Sequence, residues 1–239
     1  GDETERLFRV GIEYIKQIYP LRALFFLSKT WEMCRGDNKK LFLLTSAMAK
    51  LTILNRFMPE HGSRALVGPR AGTFYVPPLF VENDVIGQLR FQLRKLRNLK
   101  YPKGNVIVTN QSTTDLSNIP SKCIDYIFVD PPFGVNIAYS ELNQVPEAWL
   151  KISTATKDEA IINKTQKKEV IEYQTLMTSC FNELYRILKP FRWITVEFHN
   201  SKNSIWNSIQ EAISVAGFII ADVRTLDKEK KTINQFTAR

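Results

Sequence analysis

The residues of this chain that are best suited to chemistry are Asp130-Pro131-Pro132-Phe133, which follow a run of β-branched and aromatic residues at 126–129. Such a run predicts a buried strand of a parallel sheet, and two prolines cannot continue a strand. We therefore expect the carboxylate and the ring at the carboxyl end of that strand, where open α/β sheets bind their ligands. The simpler alternative is a turn that ends a strand, with Phe133 in the core.

A carboxylate beside a backbone carbonyl presents two hydrogen-bond acceptors, and here the prolines hold the backbone rigid. The two N–H groups of an exocyclic amine on a nucleobase match such a pair. When both N–H groups are bound, the nitrogen becomes a better nucleophile, because its lone pair is less delocalised into the ring. Phe133 adds a face on which a base can stack, typically worth about 1–3 kcal/mol.

The elements that must position these residues follow from periodicity and from caps. The first hundred residues predict four helices. Asp37 or Asn38 would cap the third helix, and the fourth helix is basic. These helices are predicted at 3–19, 21–33, 39–56 and 85–99. From residue 105 the pattern becomes α/β, and its last helix is closed by Gly217. The strands are predicted at 105–109, 126–129, 193–198 and 218–223, and the helices at 173–188 and 205–216.

This order predicts an α/β fold with a Rossmann-like sheet and an α-helical N-terminal elaboration. We place the boundary between the two regions at residue 100, giving a helical region at 1–100 and a sheet-containing region at 101–239. The strand at 193–198 is expected to bring His199 and Asn200 to the same edge of the sheet as Asp130.

Composition narrows the function classes. The 239 residues carry a formal net charge of +9, which favours a polyanionic partner such as nucleic acid. The three cysteines are scattered and odd in number, as expected of a protein in a reducing cytoplasm. With two histidines and no CxxC motif, we expect no metal site. No apolar run approaches the length that a membrane span needs, so we expect no membrane partner.

Two stretches suit contact with nucleic acid. Arg70 lies in a proline- and glycine-rich segment beside two aromatic residues, a combination that can hold phosphates and stack on bases. A structured connector explains that segment equally well. A second, polar and basic loop precedes the helix at 173–188. Its candidate DNA contacts are Asn163, Lys164, Lys167 and Lys168.

The run from about 105 to 235 resembles the catalytic half of the S-adenosylmethionine-dependent amino-methyltransferases, which methylate adenine N6 or cytosine N4 in DNA. The specific motif is Asp130-Pro-Pro-Phe-Gly134 at a strand end. The less specific ones are Thr114-Asp115-Leu116, Tyr139-Ser-Glu-Leu-Asn143, Tyr185-Arg-Ile-Leu-Lys-Pro190, Trp193-Ile-Thr-Val-Glu-Phe-His-Asn200 and Ala216-Gly-Phe218.

The resemblance implies a catalytic set of Asp130, Pro131, Pro132 and Phe133. The base, flipped from the duplex, would stack on Phe133, with its amine held by Asp130 and the Pro131 carbonyl. S-adenosylmethionine would be bound by Asp115 and Asp130, although Asp115 can also be read as a helix N-cap. Tyr139 would lie in the segment that covers the base pocket and would contact DNA.

One family feature is missing. The ten glycines include no G-x-G pair, although these enzymes use a glycine-rich turn to approach the cofactor. The sequence therefore resembles a piece of a larger methylase or one half of a split enzyme, with the cofactor strand on a missing half or a partner subunit. Two alternatives stay open. One is an RNA guanine-N2 methyltransferase, and the other is a nucleic-acid-binding subunit without catalytic activity.

Overall fold

The computed structural model of the protein describes residues 1–58, 68–99, 104–135 and 137–225, and it has a mixed α/β fold with a small parallel sheet. The helices are α1 (Asp2–Phe8), α2 (Leu21–Cys34), α3 (Asn38–Met48), α4 (Val85–Arg97), α5 (Tyr139–Leu142), α6 (Gln144–Leu150), α7 (Val170–Ile187) and α8 (Asn203–Val215). The two strands are β1 (Ile124–Val129) and β2 (Leu188–Val196).

Local signals placed most helix ends correctly. Asp37 caps α3, accepting hydrogen bonds from the amides of Lys39 at 3.0 Å and Lys40 at 3.2 Å. α7 ends at Ile187, one residue before its predicted end, and α8 ends before Gly217. β2 begins at Leu188, five residues before the strand predicted at 193–198, so Lys189-Pro190 lies in the strand. The predicted helices at 21–33 and 85–99 are confirmed within two residues.

Two helix predictions were too long. The helix predicted at 3–19 is interrupted after Phe8, where Gly11 adopts a φ of +80° that only glycine adopts easily. The amide of Ile12 then bonds the Leu7 carbonyl and closes the helix end. The helix predicted at 39–56 ends at Met48, and a 3₁₀ turn at Ala49–Leu51 follows. Arg56 instead forms an antiparallel bridge with Phe80.

β1 and β2 pair in parallel, with Tyr126 opposite Trp193 and Val129 opposite Val196. The register is irregular near the start of the strands, where Phe191 has a positive φ of 59°. The prediction of parallel pairing is confirmed. The prediction that β1 is buried is wrong, because only one face of the sheet is covered by α7 and α8. Tyr126, Phe128 and Trp193 lie on the other face and are each more than half exposed.

The strands predicted at 105–109 and 218–223 do not form within the described residues. Val106, Ile107 and Val108 are 67–89% exposed, and Ile219 is 91% exposed. A β-branched sequence makes a strand only where a neighbour completes its hydrogen-bond ladder, and no described residue offers one here. The described sheet therefore has two strands instead of the predicted larger Rossmann-like sheet.

Two hydrophobic clusters organise the part of the chain that the structure describes. The first joins α1–α4 and also includes residues of α5 and α6, so its packing crosses residue 100. Trp149 of α6 illustrates this, because its ring packs edge-on against Tyr19 at 5.8 Å and donates a hydrogen bond to the Tyr19 hydroxyl at 3.2 Å. The second cluster joins the sheet with α7 and α8. The segment around Asp130 leaves the second cluster and leads into the first.

Candidate active site

The Asp130–Phe133 segment leaves the sheet at the carboxyl end of β1, as predicted. The Val129 carbonyl accepts the last ladder hydrogen bond, from the amide of Glu197 at 2.9 Å. The ladder cannot continue, because neither proline has an N–H group. Asp130 is exposed, whereas Pro131 is buried. The carboxylate therefore reaches solvent from a backbone that is anchored in the protein.

Two side chains from other elements bind consecutive carbonyls of this segment. The hydroxyl of Tyr173, in the first turn of α7, donates to the Pro132 carbonyl at 2.6 Å. The amide Nδ2 of Asn200, which follows β2, donates to the Phe133 carbonyl at 2.7 Å. Both side chains are buried, and Tyr173 is completely inaccessible. Burial also raises the pKa of the Tyr173 hydroxyl, which therefore stays protonated as a donor.

Sequence reasoning missed the role of Tyr173, which had been assigned only to a helix. Asn200 had been expected at this edge of the sheet, without a partner. Its position directly after a parallel strand was the available signal. Tyr173 offered no comparable signal, because its contact depends on how α7 packs against the sheet.

The Asp130 carboxylate and the Pro131 carbonyl remain as acceptors. No described residue donates a hydrogen bond to either group. Tyr139, the first residue of α5, lies close enough to respond to the Asp130 charge. Partial burial raises the pKa of Tyr139, and the negative charge of Asp130 raises it further. Tyr139 is 41% exposed, so its ring borders the open side of the candidate site.

The Phe133 ring belongs to a row of aromatic rings. It packs edge-on against Phe198, with ring centroids 5.5 Å apart, and Phe198 packs in the same way against Trp206 at 5.1 Å. The indole N–H of Trp206 donates to the Asn200 carbonyl at 2.8 Å. The short stretch after β2 thus holds both the ring and the backbone of Phe133.

The next turn is built around Gly134, which has a φ of +74°. A Cβ at this position would lie 3.4 Å from Ile162 Cδ1 and from Ile205 Cγ2, so a side chain would be tightly confined. The Gly134 carbonyl accepts a hydrogen bond from the amide of Ile162 at 3.3 Å. This contact places the polar loop at 163–168 beside the candidate site.

Asn163 and Lys168 hold that loop together. Their backbones form two hydrogen bonds, at 2.9 and 3.0 Å, and the Asn163 side chain accepts from the amide of Gln166 at 3.1 Å. The Lys168 ammonium donates to the carbonyls of Thr156 and Glu159, both at 2.6 Å. Its pKa is lowered, mainly by burial. Lys164 and Lys167 of the same loop are exposed.

Arg70 lies in a turn that approaches the candidate site from the helical region. A Cβ added to Gly72 would lie 3.7 Å from Ile137 Cγ1, which places this turn beside the segment that follows Asp130. Arg70 itself is exposed. The turn that contains Arg70 and the loop at 163–168 thus both adjoin the stretch that follows Asp130.

Asp115 is placed elsewhere. Its neighbour Leu116 is hydrogen-bonded to two side chains near the carboxyl end of α7. The Glu183 carboxylate accepts from the Leu116 amide, and Arg186 donates to the Leu116 carbonyl, both at 2.8 Å. This is the end of α7 at which β1 begins, since the amide of Lys122 bonds the Arg186 carbonyl. Asp115 and Asp130 therefore lie toward opposite ends of β1.

The side chain of Asp115 serves a turn. It accepts from the amide of Ser117 at 3.0 Å, and this backbone hydrogen bond is the main cause of its lowered pKa. The alternative role as a helix N-cap is wrong, since the described residues 112–122 form no helix. Its exposed carboxylate has no direct link to the region around Asp130.

Over residues 1–58, 68–99, 104–135 and 137–225, no three potential metal-ligating side chains cluster together. No helix in the same ranges is both long and apolar enough to span a bilayer. Comparison of the chain with models of protein families, with curated proteins and with solved structures finds no match.

Proposed function

We propose that this chain carries the amine-binding part of a methyltransferase that acts on adenine N6 or cytosine N4 in DNA. The observation that supports this function best is the pair of acceptors, the Asp130 carboxylate and the Pro131 carbonyl, at the carboxyl end of a parallel strand. An extruded base would donate its two amine N–H groups to this pair and lie near Phe133. The adjoining carbonyls are bonded within the protein, which keeps the backbone of the pair rigid.

The described residues do not by themselves fit S-adenosylmethionine, which would supply the methyl group. Asp115, expected to bind the cofactor together with Asp130, lies toward the other end of β1. The sequence also contains no G-x-G pair with which the backbone could approach the methionine end. The proposal therefore assigns cofactor binding to a second segment or a partner subunit, and assigns base binding to this chain.

The charge distribution supports DNA as the substrate. The net charge is +9, and Arg70, Lys164 and Lys167 are exposed on segments that adjoin the stretch after Asp130. Contacts between such side chains and phosphates position a duplex but do not select a base. Base selection would then rest on Asp130 and Pro131, since a carboxylate and a carbonyl accept only from N–H or O–H donors.

The test measures whether the chain recognises an amine. Fluorescence anisotropy is recorded with DNA duplexes that carry one unpaired adenine, and with matched duplexes that carry purine, which lacks the exocyclic amine. We expect the wild-type chain to bind the adenine duplex about tenfold more tightly, equivalent to ~1.4 kcal/mol. Asp130→Ala should remove this preference while nonspecific binding remains, because the phosphate contacts are unchanged.

Asp125→Ala is the matched control, since Asp125 is an exposed aspartate of β1, the strand that precedes Asp130, and it pairs with Lys189 and Arg192. It should retain the preference for adenine. In an assembly that transfers methyl groups, Asp130→Ala should also reduce the rate at least about 100-fold. An equal preference in wild type and Asp130→Ala, or undiminished methyl transfer by Asp130→Ala, would refute the proposed function.

A nucleic-acid-binding subunit without catalytic activity is the second candidate. The missing glycine-rich turn favours it. The adenine test separates the two functions, because neither of them requires this chain to bind the cofactor by itself. Calorimetric titration with S-adenosylmethionine then measures directly whether this chain binds the cofactor. Salt-dependent DNA binding without cofactor binding and without a preference for adenine would favour the second candidate. Parallel measurements on an RNA duplex would test the remaining alternative, an RNA base methyltransferase.

A further inference from the structure

The three carbonyls that follow Asp130 differ in whether they accept a hydrogen bond from the protein. The Pro131 carbonyl receives no hydrogen bond from any described residue, whereas the Pro132 and Phe133 carbonyls each receive one short bond. The two donors come from separate elements, Tyr173 from α7 and Asn200 from the end of β2. The segment is therefore fixed from two sides immediately after the group that is left open.

We propose that Tyr173 and Asn200 are positioning residues that hold the Pro131 carbonyl and the Asp130 carboxylate in the orientation that binds a base amine. This inference rests on the proposed function. It assigns Tyr173 and Asn200 a role beyond stability, although neither side chain touches the substrate. Their effect passes through the backbone of Pro132 and Phe133.

The geometry of Tyr173 supports this role. Its side chain is completely buried in the second hydrophobic cluster, so its hydroxyl has little freedom to move away from the Pro132 carbonyl. The hydrogen bond is short, at 2.6 Å. Because the ring locks φ of Pro132, ψ of Pro132 is the one free backbone torsion between its carbonyl and the preceding peptide unit, which contains the Pro131 carbonyl. The hydrogen bond from Tyr173 restrains that torsion and so fixes the two carbonyls relative to each other.

Asn200 is held as firmly. Its Oδ1 accepts from the amide of Lys202 at 2.7 Å, and its own carbonyl accepts from the Trp206 indole at 2.8 Å. Its Nδ2 is then directed at the Phe133 carbonyl. This assignment of Oδ1 and Nδ2 satisfies both ends of the amide, since the backbone amide of Lys202 can only donate.

The test uses two nearly isosteric substitutions. Tyr173→Phe removes the hydroxyl and keeps the ring, and Asn200→Asp keeps the acceptor for Lys202 and removes the donor to Phe133. The readout is the ratio of affinities for duplexes with an unpaired adenine and an unpaired purine. We expect each substitution to reduce this ratio about fivefold or more, because a displacement of about 1 Å in a positioning group can cost up to 100-fold.

A loss of folded protein would lower both affinities equally and leave their ratio unchanged. Tyr19→Phe provides the matched control, since Tyr19 is also a buried tyrosine with a hydrogen-bonded hydroxyl, but lies in the first cluster. It should leave the ratio at the wild-type value. In the background of Asp130→Ala, Tyr173→Phe should cause no further change in the ratio, because the two residues act on the same contact.

The outcomes distinguish the two proposals. If Asp130→Ala abolishes the ratio but Tyr173→Phe and Asn200→Asp retain it, the positioning role is wrong and the proposed function stands. If the wild-type chain shows no preference for adenine, the proposed function fails and the positioning role fails with it. A reduced ratio in both variants, with an unchanged ratio in Tyr19→Phe, supports the positioning role.

Discussion

Arg186 links the last turn of α7 to the segment that precedes β1. Removing its side chain tests how much this link contributes to stability. Its guanidinium donates to the carbonyls of Leu116 at 2.8 Å and Ile119 at 3.0 Å, and to the Ser121 hydroxyl at 3.1 Å. It also forms an ion pair with Glu183 at 2.8 Å. One side chain thus fixes three points of the segment before β1.

The magnitude follows from these contacts. A hydrogen bond to a charged group contributes about 1.5–3 kcal/mol, so the two carbonyl contacts set an upper limit of about 6 kcal/mol. The Arg186 side chain is 31% exposed, and solvent screens part of this interaction. We expect Arg186→Ala to lower the free energy of unfolding by about 2–4 kcal/mol. The melting temperature should fall by roughly 5–15 °C.

Urea denaturation followed by tryptophan fluorescence provides the measurement, since Trp206 packs beside the second cluster. Arg186→Lys keeps the charge but loses the planar fork that reaches Leu116, Ile119 and Glu183 together, so it should lose an intermediate amount of stability. Arg192→Ala removes a more exposed arginine, paired with Asp125 at 3.3 Å, and should change the free energy by about 0.5 kcal/mol or less. A change of the same small size for Arg186→Ala would refute the role of Arg186 described here.

Two further predictions concern charge and capping. The hydrogen bond from Arg186, followed by that from the Leu116 amide, lowers the pKa of Glu183 from its ordinary 4.5 to about 2. Its stabilising effect is therefore fully present above pH 4.5 and is lost as the pH falls toward 2. The stability difference between wild type and Glu183→Gln, measured by urea denaturation at several pH values, should shrink over this range, and a constant difference would contradict it. Asp37→Ala should lower the free energy of unfolding by about 1 kcal/mol, because α3 loses its N-cap, whereas Asp37→Ser should retain most of that stability. Equal losses in the two variants of Asp37 would contradict a capping role.

The sequence by itself determined the features that depend on neighbouring residues. Asp37 ended the loop before α3 through its own side chain, and Pro190 limited α7, because both effects act within a few residues. The exit of Asp130 from the end of β1 was equally local, since two prolines cannot extend a hydrogen-bond ladder. The β-branched and aromatic run at 126–129 also predicted β1, and the strand predicted at 193–198 overlaps only the second half of its parallel partner β2.

Only the tertiary structure decided the contacts between distant segments. Tyr173 and Pro132 are 41 positions apart and Asn200 and Phe133 are 67 apart, so no local pattern links them. The position of Asp115 depends on Glu183 and Arg186 in the same way. Composition favoured strands at 105–109 and 218–223, but a strand is stabilised by its neighbours, and no described residue pairs with either segment. Local chemistry therefore set where the Asp130 segment leaves its strand, whereas the packing of α7 and β2 set which of its carbonyls remain open.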